Sequence, residues 1–271
     1  MSSTLGTTAR LTRENFIAKA AWFAGRADGC TLKQTTDYVR ADSGLPSDTF
    51  NVTVLLKPRL SAENEAILEE AVRYFTDKKY PMAIWAWEDK NSVTFETLRK
   101  AGLEEAETNI AMYADLDAWK PEKQFPPDFC IREVTSLAET EQFGDVLASL
   151  FGESEEGANV RAFYRKIARL PLSGPSPLKM YTGLYRGRPV STGTLMFTDD
   201  SVGVYDIATL TDFRGRGFGS AMFHFLLEEA RKGKSRLCVL QASPDGIGIY
   251  KRAGFDPVCE VTVYENRHLI E

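Results

Sequence analysis

The sequence predicts an α/β fold, with mixed sheets flanked by helices, laid out as two related halves in tandem. Three observations carry this. Strand-like and helix-like segments alternate along the chain from residue 51 onward. The stretch WKPEKQFPPD, residues 119–128, places three prolines and mixed charge between two strand-like segments. Two short tags then recur in the same order on either side of that break: LEEA at 68–71 and 227–230, and TLRKAGL at 97–103 against IYKRAGF at 249–255. The expected organisation is a degenerate copy over 1–120, a linker over 121–127 and a working domain over 128–271.

In the first half, strand NVTVLL leads to helix SAENEAILEEAVRYFTDKK, strand PMAIWAW, helix SVTFETLRKAGL and strand TNIAMYADL. The second half opens with strand FCIREV, helix SLAETEQFGDVLASLF, loop GESEEG and helix NVRAFYRKIARL. Strands LKMYTGLY and PVSTGTLMF follow, joined by a turn at RGR, then strand VGVYDIATL, a glycine-rich turn and helix SAMFHFLLEEARK. Strand RLCVLQA, a short helix around GIYKRAGF and strand EVTVYE complete it. Aligned on LEEA, Leu55, Pro58 and Leu60 fall where the second half has Arg214, Gly217 and Gly219; aligned on the second tag, Leu98 falls on Tyr250. Chemistry that depends on those residues therefore belongs to the second half alone.

Composition narrows the class. With 43% hydrophobic and 26% charged residues, the chain buries a sizeable core rather than remaining disordered. Its apolar runs fall well short of the ~20 residues that span a bilayer, and MSSTLGTTARLTREN has no apolar signal core, so a cytoplasmic protein without a membrane partner is expected. A net charge of −5 argues against a nucleic-acid partner. Cys30, Cys130, Cys238 and Cys259 form no C-x-x-C pair and have only His224 and His268 for company, which predicts buried reduced thiols and no metal site.

The residues that ask for a function are TDFRGRGFGSAMF, 211–223, where Gly215, Gly217 and Gly219 crowd a helix entrance. Each glycine inside a helix costs about 1 kcal/mol relative to alanine. What three of them offer is a backbone that a ligand can approach closely and several unpaired N–H groups at the positive end of a helix dipole, an arrangement suited to a phosphate or pyrophosphate. The dinucleotide fingerprint G-x-G-x-x-G fails, because from Gly215 its last position is Ser220 and no acidic residue ends the next strand. A P-loop fails too, since KGKS at 232–235 would need glycine at Glu228.

Arg214-x-x-Gly217-x-Gly219, preceded by strand DIATL and followed across a helix and a strand by SPDGIGIYKRAGF, resembles the GNAT superfamily of acyl-CoA-dependent N-acetyltransferases. The resemblance spans about residues 128–266, and the first half looks like a degenerate copy of the same fold. It implies acetyl-CoA as co-substrate, with Ile207, Ala208 and Thr209 pairing their backbone to the pantetheine arm. It also implies a pyrophosphate held over the amides of Gly215, Arg216, Gly217, Phe218, Gly219 and Ser220, with Arg214 beside them. Tyr250 occupies the position of the general acid that protonates the departing thiolate. Ser243 and Gly246 stand where the family often has asparagine and alanine, which weakens the cofactor contact expected at Ser243.

A base must deprotonate the acceptor amine, and Tyr205 and Asp206 are the candidates, with water as the third; a β-bulge would decide which of the two faces the cleft. Oxyanion stabilisation would come from a backbone N–H of the same strand. Glu153, Glu155 and Glu156 of the GESEEG loop either attract a cationic amine or form a solvated loop. Trp85 and Trp87 either line a substrate cavity between the halves or pack the core, and His224 is read as packing. The function implied is direct transfer of an acetyl group to an amine, a small molecule before a peptide. A non-catalytic acyl-CoA binder is the rival reading.

Overall fold

The computed structural model describes residues 2–56, 65–87, 93–121, 125–170, 174–244 and 246–270. Pro58 and Leu60, aligned above with the glycine turn, lie outside them. A long helix α1 (Ser2–Ala24) opens the chain, followed by β1 (Thr31–Gln34), β2 (Tyr38–Asp42), β3 (Val52–Leu55), α2 (Glu65–Thr76), β4 (Ala83–Ala86), α3 (Val93–Lys100) and β5 (Glu104–Asp115). The second half runs β6 (Phe129–Glu133), α4 (Leu137–Ala148), α5 (Glu155–Ile167), β7 (Leu178–Tyr185), β8 (Arg188–Phe197) and β9 (Val202–Thr209). It ends with α6 (Phe218–Ala230), β10 (Leu237–Ala242), α7 (Ile247–Arg252) and β11 (Asp256–Glu265). No helix among the described residues is long and apolar enough to cross a membrane.

The repeat expected from the two tags is visible in the elements. The series β3–α2–β4–α3–β5 and β9–α6–β10–α7–β11 match one for one, and in each the two strands that flank the helix run parallel. LEEA lies in α2 and in α6, and Leu98, on α3, is fully buried where the second copy has Tyr250 on α7.

The eleven strands of the described residues form one sheet, in the order β1-β2-β3-β4-β11-β5-β10-β9-β8-β7-β6. The centre of that order is the unexpected part. The last strand of the second half, β11, pairs antiparallel with β4 and β5 of the first, and β5 pairs antiparallel with β10 of the second. Each half thus lends its final strand to the other. Residues 122–124 of the linker expected at 121–127 lie outside the described residues, and the sheet runs unbroken between the strands on either side of it.

The apolar core divides into clusters. Met112, Leu116, Val204, Phe223 and Leu226 pack under α6, and Leu68, Phe75, Ile84 and Leu98 pack under α2. Between them a third cluster joins Phe16, Trp22 and Phe23 of α1 to Phe143, Val160 and Phe163 of α4 and α5. The halves are further fastened by Phe50, whose ring stacks on Phe163 at 3.7 Å between centroids, and by Lys166, whose Nζ donates to the Ser43 carbonyl at 2.6 Å.

Candidate active site

Strands β9 and β10 pair only at their first residues, Val202 with Cys238 and Gly203 with Val239. Beyond that point they part, although β9 stays paired to β8 as far as Thr209. Ile207, Ala208 and Thr209 therefore have backbone groups on the β10 side with no strand to satisfy them, and an extended ligand fits such a gap as an added strand.

At the end of β9 the chain enters the glycine turn. The Arg214 Nε donates to the Thr209 carbonyl at 3.1 Å, tying the turn to the strand. Gly217 caps α6 at φ +83°, a left-handed backbone that a side chain strains, and no side chain caps the helix. The amides that open α6 are left for a ligand. A β-carbon on Gly219 would meet Thr209 Oγ1 at 3.1 Å, so glycine there lets the helix entrance close onto the strand. Arg214, Gly215, Arg216, Gly217 and Ser220 are exposed, whereas Phe218 is buried against Phe129 and Tyr185. Strand gap and uncapped helix together fit a ligand with an extended arm and an anionic group.

The same strand borders a cavity of about 520 Å³ between the halves. Asp206, Ile207, Ser243 and Tyr250 of the second half line it alongside Phe16, Lys19, Phe23, Trp85 and Glu107 of the first. Residues alternating along successive strands, Trp85 on β4, Val263 and Glu265 on β11, Glu107 and Asn109 on β5, and Gln241 on β10, put one sheet face on its floor. The exchanged strands are thus part of the site. Acidic side chains Asp48 and Glu107 border Glu265, whose carboxyl is raised above its ordinary value chiefly by burial and then by Asp48.

Tyr250 is half-buried, its ring set against Phe223 at 5.0 Å. Its hydroxyl has no hydrogen-bond partner among the described residues, and burial raises its pKa above the usual phenol value. It stays protonated through neutral pH, as a proton donor must.

The bulge that the base assignment turned on is present. Opposite β8, the register passes from Ala208↔Thr192 to Tyr205↔Thr194, so Asp206 and Ile207 face the single residue Gly193. Asp206 takes φ +54° there. Tyr205 also lines the cavity; its hydroxyl donates to Asn15 Oδ1 at 2.9 Å within the core, and burial, reinforced by Asp206, pushes the phenol well above its ordinary range. Asp206 Oδ1 accepts from Lys19 Nζ at 2.9 Å, and its Oδ2 is buried without a hydrogen-bond partner among the described residues.

Other expectations are corrected by position. Residues 155–157 of the GESEEG segment belong to α5, and Glu156 is buried, accepting from Ser47 Oγ at 2.6 Å and Thr49 Oγ1 at 2.5 Å. It docks α5 on the first half, while Glu153 and Glu155 are exposed. Trp85 lines the cavity, while Trp87 donates its Nε1–H to Thr12 Oγ1 at 2.9 Å in the core. No disulfide links the four cysteines among the described residues; only Cys238 is fully buried, and Cys130 is exposed. His224 packs on Trp119 at 5.8 Å. The contribution that sequence reasoning missed is α1, whose Asn15, Phe16 and Lys19 all meet β9.

Residues 179–257 match the family model described as "Acetyltransferase (GNAT) domain". No curated protein matches the chain in sequence. Among solved structures, a GCN5-related N-acetyltransferase from Kribbella flavida is similar over 93% of this chain and 95% of its own, at 17% identity and a TM-score of 0.66. A functionally unknown conserved protein from Staphylococcus epidermidis is similar over 92% and 96%, at 15% identity and 0.65. A tandem GNAT protein from the clavulanic acid biosynthesis pathway is similar over 89% and 84%, at 10% identity and 0.57. At these identities the likeness is one of fold, and it includes the tandem arrangement.

Proposed function

We propose that this protein, whose residues 179–257 match a GNAT acetyltransferase domain model, transfers an acyl group, most simply acetyl, from acyl-CoA to the amine of a small molecule held between the two halves. One observation carries the reading. The strand that ends at the open glycine turn is the strand that lines the cavity with Tyr250, so a site for an anionic, extended donor leads into a site for an acceptor.

The residues divide the work. The free backbone of Ile207, Ala208 and Thr209 is suited to the pantetheine arm, and the amides from Gly215 to Ser220 to its pyrophosphate, with Arg214 and Arg216 exposed beside them. Acyl-CoA would supply an activated thioester, and the chain supplies the proton handling. An ammonium has no lone pair, so the acceptor gives up a proton first, and Asp206 Oδ2 is the buried acceptor atom facing that task. Tyr250 holds the proton for the sulfur that departs. A backbone N–H of β9, on its side turned away from β8, polarises the carbonyl.

Direct transfer is favoured over a covalent relay, because burial holds the Cys238 thiol above its ordinary pKa and does the same to Cys30 in the cavity wall. A pocket beneath α1, lined by Phe16, Phe23 and Phe163, favours a small amine over a peptide laid across a surface. Saturating acetyl-CoA is expected to raise the melting temperature by roughly 5–10 °C, while NAD and ATP give a smaller shift. Equal shifts, or none, would overturn the donor assignment.

A further inference from the structure

We infer that Lys19, from the half that lacks the glycine turn, is a positioning residue for Asp206, so that the working site is completed by α1. The inference rests on the acyl-transfer reading above, with Asp206 as the base.

Asp206 is held from both ends. Its backbone sits at φ +54° in the bulge, where Thr192 Oγ1 donates to its carbonyl at 2.8 Å. Its side chain is fixed by Lys19 at 2.9 Å, and the two side chains are only 13% and 17% exposed. Both line the cavity. With Oδ1 engaged, Oδ2 remains buried and has no hydrogen-bond partner among the described residues. A desolvated carboxyl oxygen without a donor is unfavourable, so it marks a place where a ligand donor arrives. A substrate ammonium is such a donor, and it is the group that must give up a proton.

Helix α1 is fitted to this task over one face. Asn15 Nδ2 donates to Ser201 Oγ at 2.9 Å and to the Met196 carbonyl at 3.2 Å, while its Oδ1 receives the Tyr205 hydroxyl. A β-carbon on Gly203 would lie 2.0 Å from Asn15 Oδ1, so that glycine makes room for the contact. Phe16 packs against the Tyr205 ring at 6.3 Å, and Lys19, one turn on, reaches Asp206. The charged and titratable groups facing Asp206 are Lys19 from α1, Tyr205 beside it on β9 and Tyr164 from α5; Cys30, Asp48, Glu107, Tyr250 and Glu265 share the cavity. Lys19 is the one cation among them. Without it the carboxylate loses the contact that selects which oxygen points at the acceptor.

The test is a double-mutant cycle on the full chain, read as kcat and amine KM, with acetyl-CoA binding followed separately by thermal shift. Lys19→Met is expected to lower kcat at least tenfold, to leave the acetyl-CoA shift unchanged, and to be largely rescued by Lys19→Arg. In an Asp206→Asn background the same change should alter kcat less than twofold. Lys19→Gln serves the same cycle should the methionine variant unfold. Equal losses in both backgrounds, or no loss, would overturn the inference. So would a lower amine KM at unchanged kcat, which would make Lys19 a mere competitor for the place of the amine. If the unaltered protein binds acetyl-CoA but transfers to no amine, the transfer reading itself falls and takes this inference with it.

Discussion

Tyr250 and Asp206 reach the cavity for different physical reasons, and they were unequally legible. Tyr250 lies in a short helix whose sequence, GIYKRAGF, is distinctive, and its place followed from the family resemblance that this segment and the glycine turn carry. Asp206 was one of a pair because strand residues alternate faces, and only the bulge opposite Gly193 decides between them. The bulge leaves no composition signal, and neither does the hydrogen bond from the Tyr205 hydroxyl to Asn15, 190 positions away. For Tyr250, the buried phenol remains protonated until pH passes above its ordinary range, so its donor role is available across neutral pH. Tyr250→Phe is therefore expected to lower kcat by about 10²-fold while the acetyl-CoA-induced thermal shift persists. Unchanged turnover would return Tyr250 to a packing role against Phe223.

Among the elements, the entrance of α6 was the most readable. Its glycines have separate duties: Gly217 supplies the left-handed cap and Gly219 the close approach to Thr209. A Gly219→Val change puts a branched side chain against Thr209 Oγ1 and beside the free amides. It should weaken acetyl-CoA binding by about tenfold or more, measured by calorimetric titration, with a stability loss of roughly 1–3 kcal/mol from overpacking. Full affinity in that variant would mean the turn is only a turn. Helix α1 was not legible. Its first third is polar and threonine-rich, and its apolar residues make sense only once both halves are present to receive them. The GESEEG segment misled for a related reason, since nothing local in the sequence says that Glu156 finds Ser47 and Thr49.

For the molecule as a whole, the repeat was readable through its two tags, but the exchange of final strands was not, because pairing between residues 104–115 and 256–265 is set by non-local contacts. The exchange explains why a half without a glycine turn is integral to the site: β5 and β11 carry Glu107 and Glu265 onto the cavity floor. It also makes the halves depend on one another. A fragment lacking residues 1–120 would leave β10 without β5 and β11 without both its partners. The full chain is expected to unfold in one calorimetric transition, and the fragment to lose cooperative unfolding or melt well below it. A fragment that melts where the full chain does would refute that dependence. The central claim is that the parted strands and the cavity together form one acyl-transfer site. It is met most directly by following thiol release from acetyl-CoA against a panel of polyamines, amino acids, aminoglycosides and peptides, with the acylated product identified by mass. The expected result is amine-dependent release with a small molecule of the panel and one acetyl group on its nitrogen; acetyl-CoA bound but unconsumed with every amine would contradict it.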